Sequence, residues 1–454
     1  MNPGRPWPAL YEYPSRKLRP NLTQVSRSHT ADAQAAGFGR MKVRIHRGTQ
    51  EIGGTVIELE ARGQRLLLDC GLPLLVDAEN EAVVPAIPGF TAPDQTLLGV
   101  VLSHGHRDHW GLLPRAHPAL AIYTGRATEC ILSAAAPFVP DSLKIKAAGY
   151  LADGQPLSIG PFAVTPHLVD HSAFDAYALT VEANGRRIFY SGDIRGHGRK
   201  ARLFEALVAR PPKAIDTMLL EGSSLGRLGQ NERFPTEQEI EARLTERIRR
   251  SGGMVLIAAS AQNIDRVVSI YRATKRSGRT LVVDLYAAEI LRATGRATIP
   301  QTTWPDVALF TPQHQRVKIK NAGLFDLLDQ HKNGRVFPED LAATPGRFVF
   351  LFRASLLADL KRANCLTGAR AIWSQWAGYL NDERGKALVA ALTEIDLDLE
   401  VIHTSGHASI ADLQRLARAV APKALIPIHT FEAGRFPELF DNVVVHRDGE
   451  WWEA

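Results

Sequence analysis

The run Ser103-His104-Gly105-His106-Arg107-Asp108-His109 sets three imidazoles and a carboxylate within six residues. An apolar stretch, Leu97–Ser103, leads into it and reads as a strand, so His104 and His106, two apart on an extended segment, point the same way. Gly105 keeps the loop between them uncrowded, and Asp108 and His109 then turn toward a neighbouring position. Imidazole nitrogens together with a carboxylate oxygen suit Zn²⁺ and, less typically, Mn²⁺. Four candidate ligands in so short a run exceed what one open catalytic ion takes, so the reading is two adjacent divalent ions.

A second ion needs further ligands, and three later residues supply them. His171 stands just before a strand, Asp193 follows the apolar strand ending at Tyr190, and His429 follows the strand Ala424–Ile428. Each is a polar residue at the end of a buried element, where αβ folds collect their site residues. His167, four residues before His171, competes with it as a ligand.

The elements that must position these residues change rhythm along the chain. Thr55–Glu60 and Gln64–Leu68, separated by Arg62-Gly63, read as a hairpin, as do Tyr177–Val181 and Arg187–Tyr190 about Asn184-Gly185. Strands dominate to about residue 200. Beyond it, Thr236 and Glu239 form a capping box opening a helix with Ile240, Leu244 and Ile248 on one face. Met254–Ala259, a helix over 262–276 and Leu281–Asp284 continue a strand–helix alternation, which implies a parallel βαβ unit. Glu400–His403 reads as a strand, Ser409–Val420 as a helix capped by Ser409, and Asp448-Gly449 as the turn of a final hairpin. The domain reading is an arm over 1–40, a first domain over 41–212, an insertion over 213–395 and a return to the first domain over 396–454.

The chain's 454 residues, 45% hydrophobic and 22% charged, suffice for two or three cores. Cys70, Cys130 and Cys365 cannot build a disulfide framework, which argues for a reducing, cytoplasmic compartment. No apolar run approaches the ~18 residues of a membrane span, and the first thirty residues lack a signal-peptide core. Of the net charge of +6, the proline-rich, flexible arm carries +4. The rest is mildly basic, which permits a phosphate-rich partner without demanding one.

With these residues in view, the chain resembles the metallo-β-lactamase superfamily: His104, His106, Asp108 and His109, then His171 and Asp193, with Asp69 matching that family's first aspartate. Glu221 at a strand end resembles motif A of the β-CASP nucleases, His407 in Ser405-Gly406-His407-Ala408-Ser409 motif B, and His429 in Ile426-Pro427-Ile428-His429 motif C. The interval from His407 to His429 and Glu51-Ile52-Gly53-Gly54 are similar to the ribonuclease J group, without its C-terminal domain. The sequence departs from that group at Gly222-Ser223-Ser224 and at Thr430-Phe431-Glu432.

The resemblance implies an αββα sandwich with an inserted parallel βαβ (β-CASP) domain, and an enzyme that hydrolyses single-stranded RNA. It implies one ion on His104, His106 and His171, a second on Asp108, His109 and His429, and Asp193 between them. Asp108 and Asp69 serve the chemistry as carboxylates, Asp69 by fixing an imidazole orientation. His407, oriented by Glu221, either stabilises the phosphorane-like charge or assists the leaving group. Ser405, Gly406, His407, Ala408 and Ser409 make an anion pocket for a 5′-monophosphate; independently of the resemblance, Ser260 and Asn263, which follow the apolar strand Met254–Ala259, are expected to contact backbone phosphate. A 5′→3′ exonuclease with accompanying endonuclease action is the leading expectation, and a homodimer is compatible with it. The alternatives are a hydrolase of single-stranded DNA or a small phosphodiester, and an inactive RNA-binding subunit.

Overall fold

The computed structural model describes residues 39–74, 83–139 and 142–454. The expected arm therefore lies outside the described residues, apart from Gly39 and Arg40.

Both short hairpins form where the turn chemistry places them. Arg62 and Gly63 have φ of 52° and 71°, and Asn184 and Gly185 have φ of 50° and 71°. Positive φ at both central residues is the geometry that matches the twist of two antiparallel strands. The first hairpin enters a seven-stranded sheet in the order Trp451–Glu453, Lys42–Arg47, Val56–Ala61, Gln64–Leu68, Leu97–Val101, Ile122–Gly125, Gly149–Leu151. The second enters a six-stranded sheet in the order Ala424–Ile428, Thr217–Glu221, Arg186–Tyr190, Tyr177–Ala183, Phe162–Leu168, Leu157–Ile159.

These two sheets face each other across a core that includes Val43, Ile57, Leu68 and Val101 from the first and Val164, Leu179, Ile188 and Leu219 from the second. Helices Ala201–Ala209 and Ile410–Val420 cover the outside of the second sheet through Phe204, Leu413 and Leu416. Trp110 and Leu132 cover the outside of the first. The result is the expected αββα sandwich.

A third sheet, wholly parallel, runs Val307–Leu309, Thr280–Val283, Phe348–Phe352, Val255–Ala258, Arg370–Trp373, Leu399–Val401. Its inner strands are apolar on both faces because helices pack on both. Helices Glu237–Arg250 and Ile264–Arg276 lie on one side through Ile240, Leu244 and Val267, and Leu357–Arg362 and Glu383–Thr393 on the other through Leu360, Leu388 and Leu392. Thr236 and Glu239 close the expected capping box.

The chain enters and leaves this third layer between two neighbouring strands of the second sheet, because Thr217–Glu221 pairs parallel with Ala424–Ile428. Sheet membership changes after Glu221 and after Val401. Thr217–Glu221 hydrogen-bonds within the second sheet, and Leu399–Val401 pairs with Arg370–Trp373 in the third. The final hairpin is absent: Trp451–Glu453 pairs antiparallel with Lys42–Arg47, at the opposite end of the chain.

Candidate metal centre and cleft

Parallel pairing brings the chemistry together. Arg186–Tyr190, Thr217–Glu221 and Ala424–Ile428 lie side by side in one direction, so Asp193, Glu221 and His429 emerge at one edge. Gln64–Leu68 and Leu97–Val101 are likewise parallel, so Asp69 and the His104–His109 loop emerge at the edge of the facing sheet. Ligands gather at the carboxyl ends of parallel strands for this reason.

There the side chains form two clusters sharing Asp193. His104, His106, His171 and Asp193 make one, and Asp108, His109, Asp193 and His429 the other, with ligand atoms within 4.8 Å of one another in each. Asp193 Oδ2 stands 3.2 Å from His109 Nε2, 3.7 Å from His104 Nε2 and 3.8 Å from His171 Nε2, and Oδ1 is 3.9 Å from His429 Nε2. Two donors on one tetrahedral zinc stand roughly 3.4 Å apart. His104 Nε2, His109 Nε2, His429 Nε2 and both Asp193 oxygens are buried and make no hydrogen bond. Buried polar atoms left this way carry a desolvation cost that a cation would offset, so the donor set fits divalent metal.

The outward nitrogens are held. Asp69, fully buried at φ 58°, accepts from Ser103 N–H (2.7 Å), Ser103 Oγ–H (2.7 Å) and Tyr190 O–H (2.5 Å), and pairs with His109 Nδ1 at 2.7 Å. His171 Nδ1 donates to Gly406 O at 2.6 Å, and His429 Nδ1 meets Thr55 Oγ1 at 3.1 Å. Each contact turns Nε2 toward the centre. The close approach in this loop belongs to Gly71, where a Cβ would fall 1.7 Å from Asp108 O. A Cβ on Gly105 would meet only ordinary contacts, so Gly105 is not the residue that relieves crowding.

Electrostatics favour ligand-ready imidazoles. Burial and neighbouring imidazoles hold His104 and His171 well below the ordinary histidine pKa, and burial takes His106 down to about 4. His109 goes the other way: burial opposes its charge, but the carboxylates of Asp193, Asp69 and Asp108 outweigh it. A proton there occupies the place a cation would take.

His407 Nδ1 lies 3.2 Å from Glu221 Oε1, and Ser223 N–H and Oγ–H hold Oε2 at 3.1 and 2.8 Å. His407 opens on a cleft of about 690 Å³. One wall carries His106, Asp108, His171 and Asp193. The other carries Ser260 and Asn263 after Val255–Ala258, and Ser374, Gln375, Trp376 and Tyr379 after Arg370–Trp373.

Ser405 and Gly406 line this cleft beside His407, whereas Ala408 and Ser409 do not. Ala408 is buried in the core under the second sheet, and Ser409 Oγ caps helix Ile410–Val420 by accepting Asp412 N–H. Asn263 lines the cleft while its side-chain oxygen caps helix Ile264–Arg276. His167 pairs with Thr180 Oγ1 at 2.9 Å on its strand and belongs to neither cluster.

Arg195, Arg199 and Lys200, a run of basic residues that follows Asp193 in sequence, are held by protein partners and do not line the cleft. Arg195 is wholly buried against Asp170, Asp265 and Glu237, Arg199 pairs with Glu241, and Lys200 Nζ donates to the carbonyls of His171 (2.8 Å) and Ala173 (3.0 Å). The aromatic residues of the cleft, Trp376, Tyr379 and Phe431, and the cation Arg227 escape sequence reasoning because loop residues carry no periodicity. Their signal is nearness to a parallel strand's end or to a ligand.

Two histidines, His197 buried and His403 half-buried at the cleft, make the fold acid-sensitive. Burial and Arg195 take His197 down to about 3, and burial and Arg266 do the same to His403. Both stay neutral in the folded chain below the pH at which the unfolded chain protonates them. Their stabilisation is complete above the ordinary histidine pKa and is lost as pH falls from about 6.5 toward 3. The melting temperature is expected to drop across that window. His197→Gln, which keeps a donor for Ser405 O (3.0 Å) but takes up no proton, should flatten part of the slope. An unchanged slope would remove His197 from the account.

Comparison with known proteins bears on the fold and on what the chain is similar to. Residues 64–233 match the model of the beta-lactamase superfamily domain. The chain is 24% identical to Ribonuclease J of Mycobacterium tuberculosis (strain H37Rv) over 86% of its own length and 69% of that protein's. It is 21% identical to Ribonuclease J of Helicobacter pylori (strain 26695) over 84% of its own length and 55% of that protein's. A crystal structure of a protein of unknown function from Enterococcus faecalis V583 shares the fold, with a TM-score of 0.67 and 22% identity over 92% of this chain and 100% of that one. The chain is thus similar to ribonuclease J proteins over most of its length, with a beta-lactamase superfamily domain matched over residues 64–233.

Proposed function

We propose that this chain is a two-metal ribonuclease that hydrolyses single-stranded RNA, acting mainly as a 5′→3′ exonuclease on 5′-monophosphate ends. The observation that carries the reading is the shared Asp193, whose two unbonded oxygens sit among the imidazoles of both clusters at the floor of a cleft. Zn²⁺ is the first choice of ion and Mn²⁺ the second.

His104, His106 and His171 would hold one ion, Asp108, His109 and His429 the other, and Asp193 would belong to both. When bound, such a pair polarises a phosphoryl oxygen and lowers the pKa of water. The protein's own groups supply the rest. Asp69 and Gly406 O lock the orientation of His109 and His171. Glu221 holds His407 through Nδ1, which leaves Nε2 to hydrogen-bond the leaving oxygen and return a proton to it. Ser405, Gly406, Ser260 and Asn263 supply polar groups for phosphate on the cleft walls.

The test compares end-labelled 5′-monophosphate and 5′-triphosphate RNA with Mn²⁺ or Zn²⁺, beside single-stranded DNA. Mononucleotides from the monophosphate RNA alone, lost on chelation and in His106→Ala, are the expected result. Internal fragments from both RNAs would replace the exonuclease reading with an endonuclease, and equal cleavage of DNA would replace the substrate.

A further inference from the structure

The cleft wall facing the ligands carries rings that metal binding and phosphate contact leave unused. Trp376 and Tyr379 are 42% and 39% exposed on the loop that follows Arg370–Trp373, in the same cleft as His106 and Asp108. Their ring centroids are 5.3 Å apart at 83°. The pair is built rather than incidental. A Cβ on Gly378 would come within 2.3 Å of the Trp376 indole, so a larger residue there would push the ring from its place, and Trp373 Nε1–H donates to Trp376 O at 3.1 Å.

Arg227 reaches the same place from the loop after Glu221. Its guanidinium carbon lies 5.8 Å from the Trp376 ring centroid, and the Glu221 carboxylate attracts it from beyond ion-pair distance. A third ring, Phe431, is 64% exposed in the cleft two residues past His429.

An exposed π-face beside a cation suits a planar, unstacked base and its phosphate. Paired bases are stacked on both faces and offer neither. We propose that Trp376, Tyr379 and Arg227 form a sequence-tolerant clamp that stacks one unpaired base and holds its phosphate, so that a single strand lies along the cleft over the His/Asp centre. The clamp rests on the ribonuclease reading.

The experiment measures KM and kcat on mixed-sequence single-stranded RNA and on the same RNA with one abasic nucleotide moved position by position. Trp376→Ala is expected to raise KM on the order of 10- to 100-fold, with the loss confined mainly to KM. Trp376→Phe restores most of the affinity, and Gly378→Ala, which crowds the indole, shares the loss. In the wild-type protein one abasic position raises KM by a similar factor, and Trp376→Ala is indifferent at that position. An unchanged KM in Trp376→Ala, or equal abasic sensitivity in both proteins everywhere, overturns the clamp while RNA cleavage stands. Hydrolysis of a small phosphodiester with no cleavage of RNA by the wild-type protein overturns both.

Discussion

Asp193→Ala is expected to lower bound metal from about two ions per chain to one or none, and to cut kcat by roughly 10³- to 10⁵-fold, as loss of several kcal/mol of metal-derived stabilisation requires. Among the described residues Asp193 alone belongs to both clusters: its carboxylate lies within 3.9 Å of His104, His109, His171, His407 and His429. Without it those five imidazoles face one another in a buried space in which Asp108 is the remaining carboxylate of either cluster. Neighbouring imidazoles already lower the pKa of His104 and His171, so ions that replace protons become the less stable occupants once the anion is gone. The fold itself is expected to persist, because neither Asp193 oxygen makes a hydrogen bond. Metal analysis, RNA cleavage and circular dichroism check the three parts. Full metal content with kcat within about tenfold of wild type would remove Asp193 from the bridging position.

That so much of this site is legible in sequence has a physical cause. Only a few side-chain types offer donors that suit a divalent metal, and the strand-loop edge forces close spacing on His104, His106, Asp108 and His109, so type and interval survive as a written pattern. His171, Asp193 and His429 are readable because each ends an apolar strand or precedes one, and the hairpin turns because Asn184-Gly185 is a local conformational statement. Arg195 shows the opposite case. On the page it belongs to a basic turn with Arg199 and Lys200, yet its partners Asp265 and Glu237 lie 70 and 42 residues away on helices of the third layer. Burial of a charge depends on such distant partners, and periodicity does not carry them. Trp376 fails for a related reason: an aromatic residue in a loop is core or surface according to what packs over it.

Arg195→Met is expected to destabilise the folded protein by about 3–5 kcal/mol, the cost of leaving a buried ionic network without its cation. The guanidinium is wholly buried, with Nε 3.3 Å from Asp170, Nη2 2.5 Å from Asp265 and Nη1 3.6 Å from Glu237. Nη1 also donates to Ser405 O at 3.1 Å, which anchors the loop whose Gly406 O holds His171. Lysine cannot replace this three-way fork with a single ammonium. The loss also has a pH signature. Burial already raises Asp170 to about 6, against the lowering effect of Arg195, so the variant raises it further. A carboxyl whose folded pKa lies above its unfolded one binds more protons folded, so its contribution to stability falls as pH rises through that interval. The deficit of Arg195→Met against wild type should therefore widen from pH 6 to pH 8 in urea denaturation of the metal-free proteins. A deficit that is small, or that narrows over that range, would mean that Asp170, Asp265 and Glu237 share their charge without Arg195.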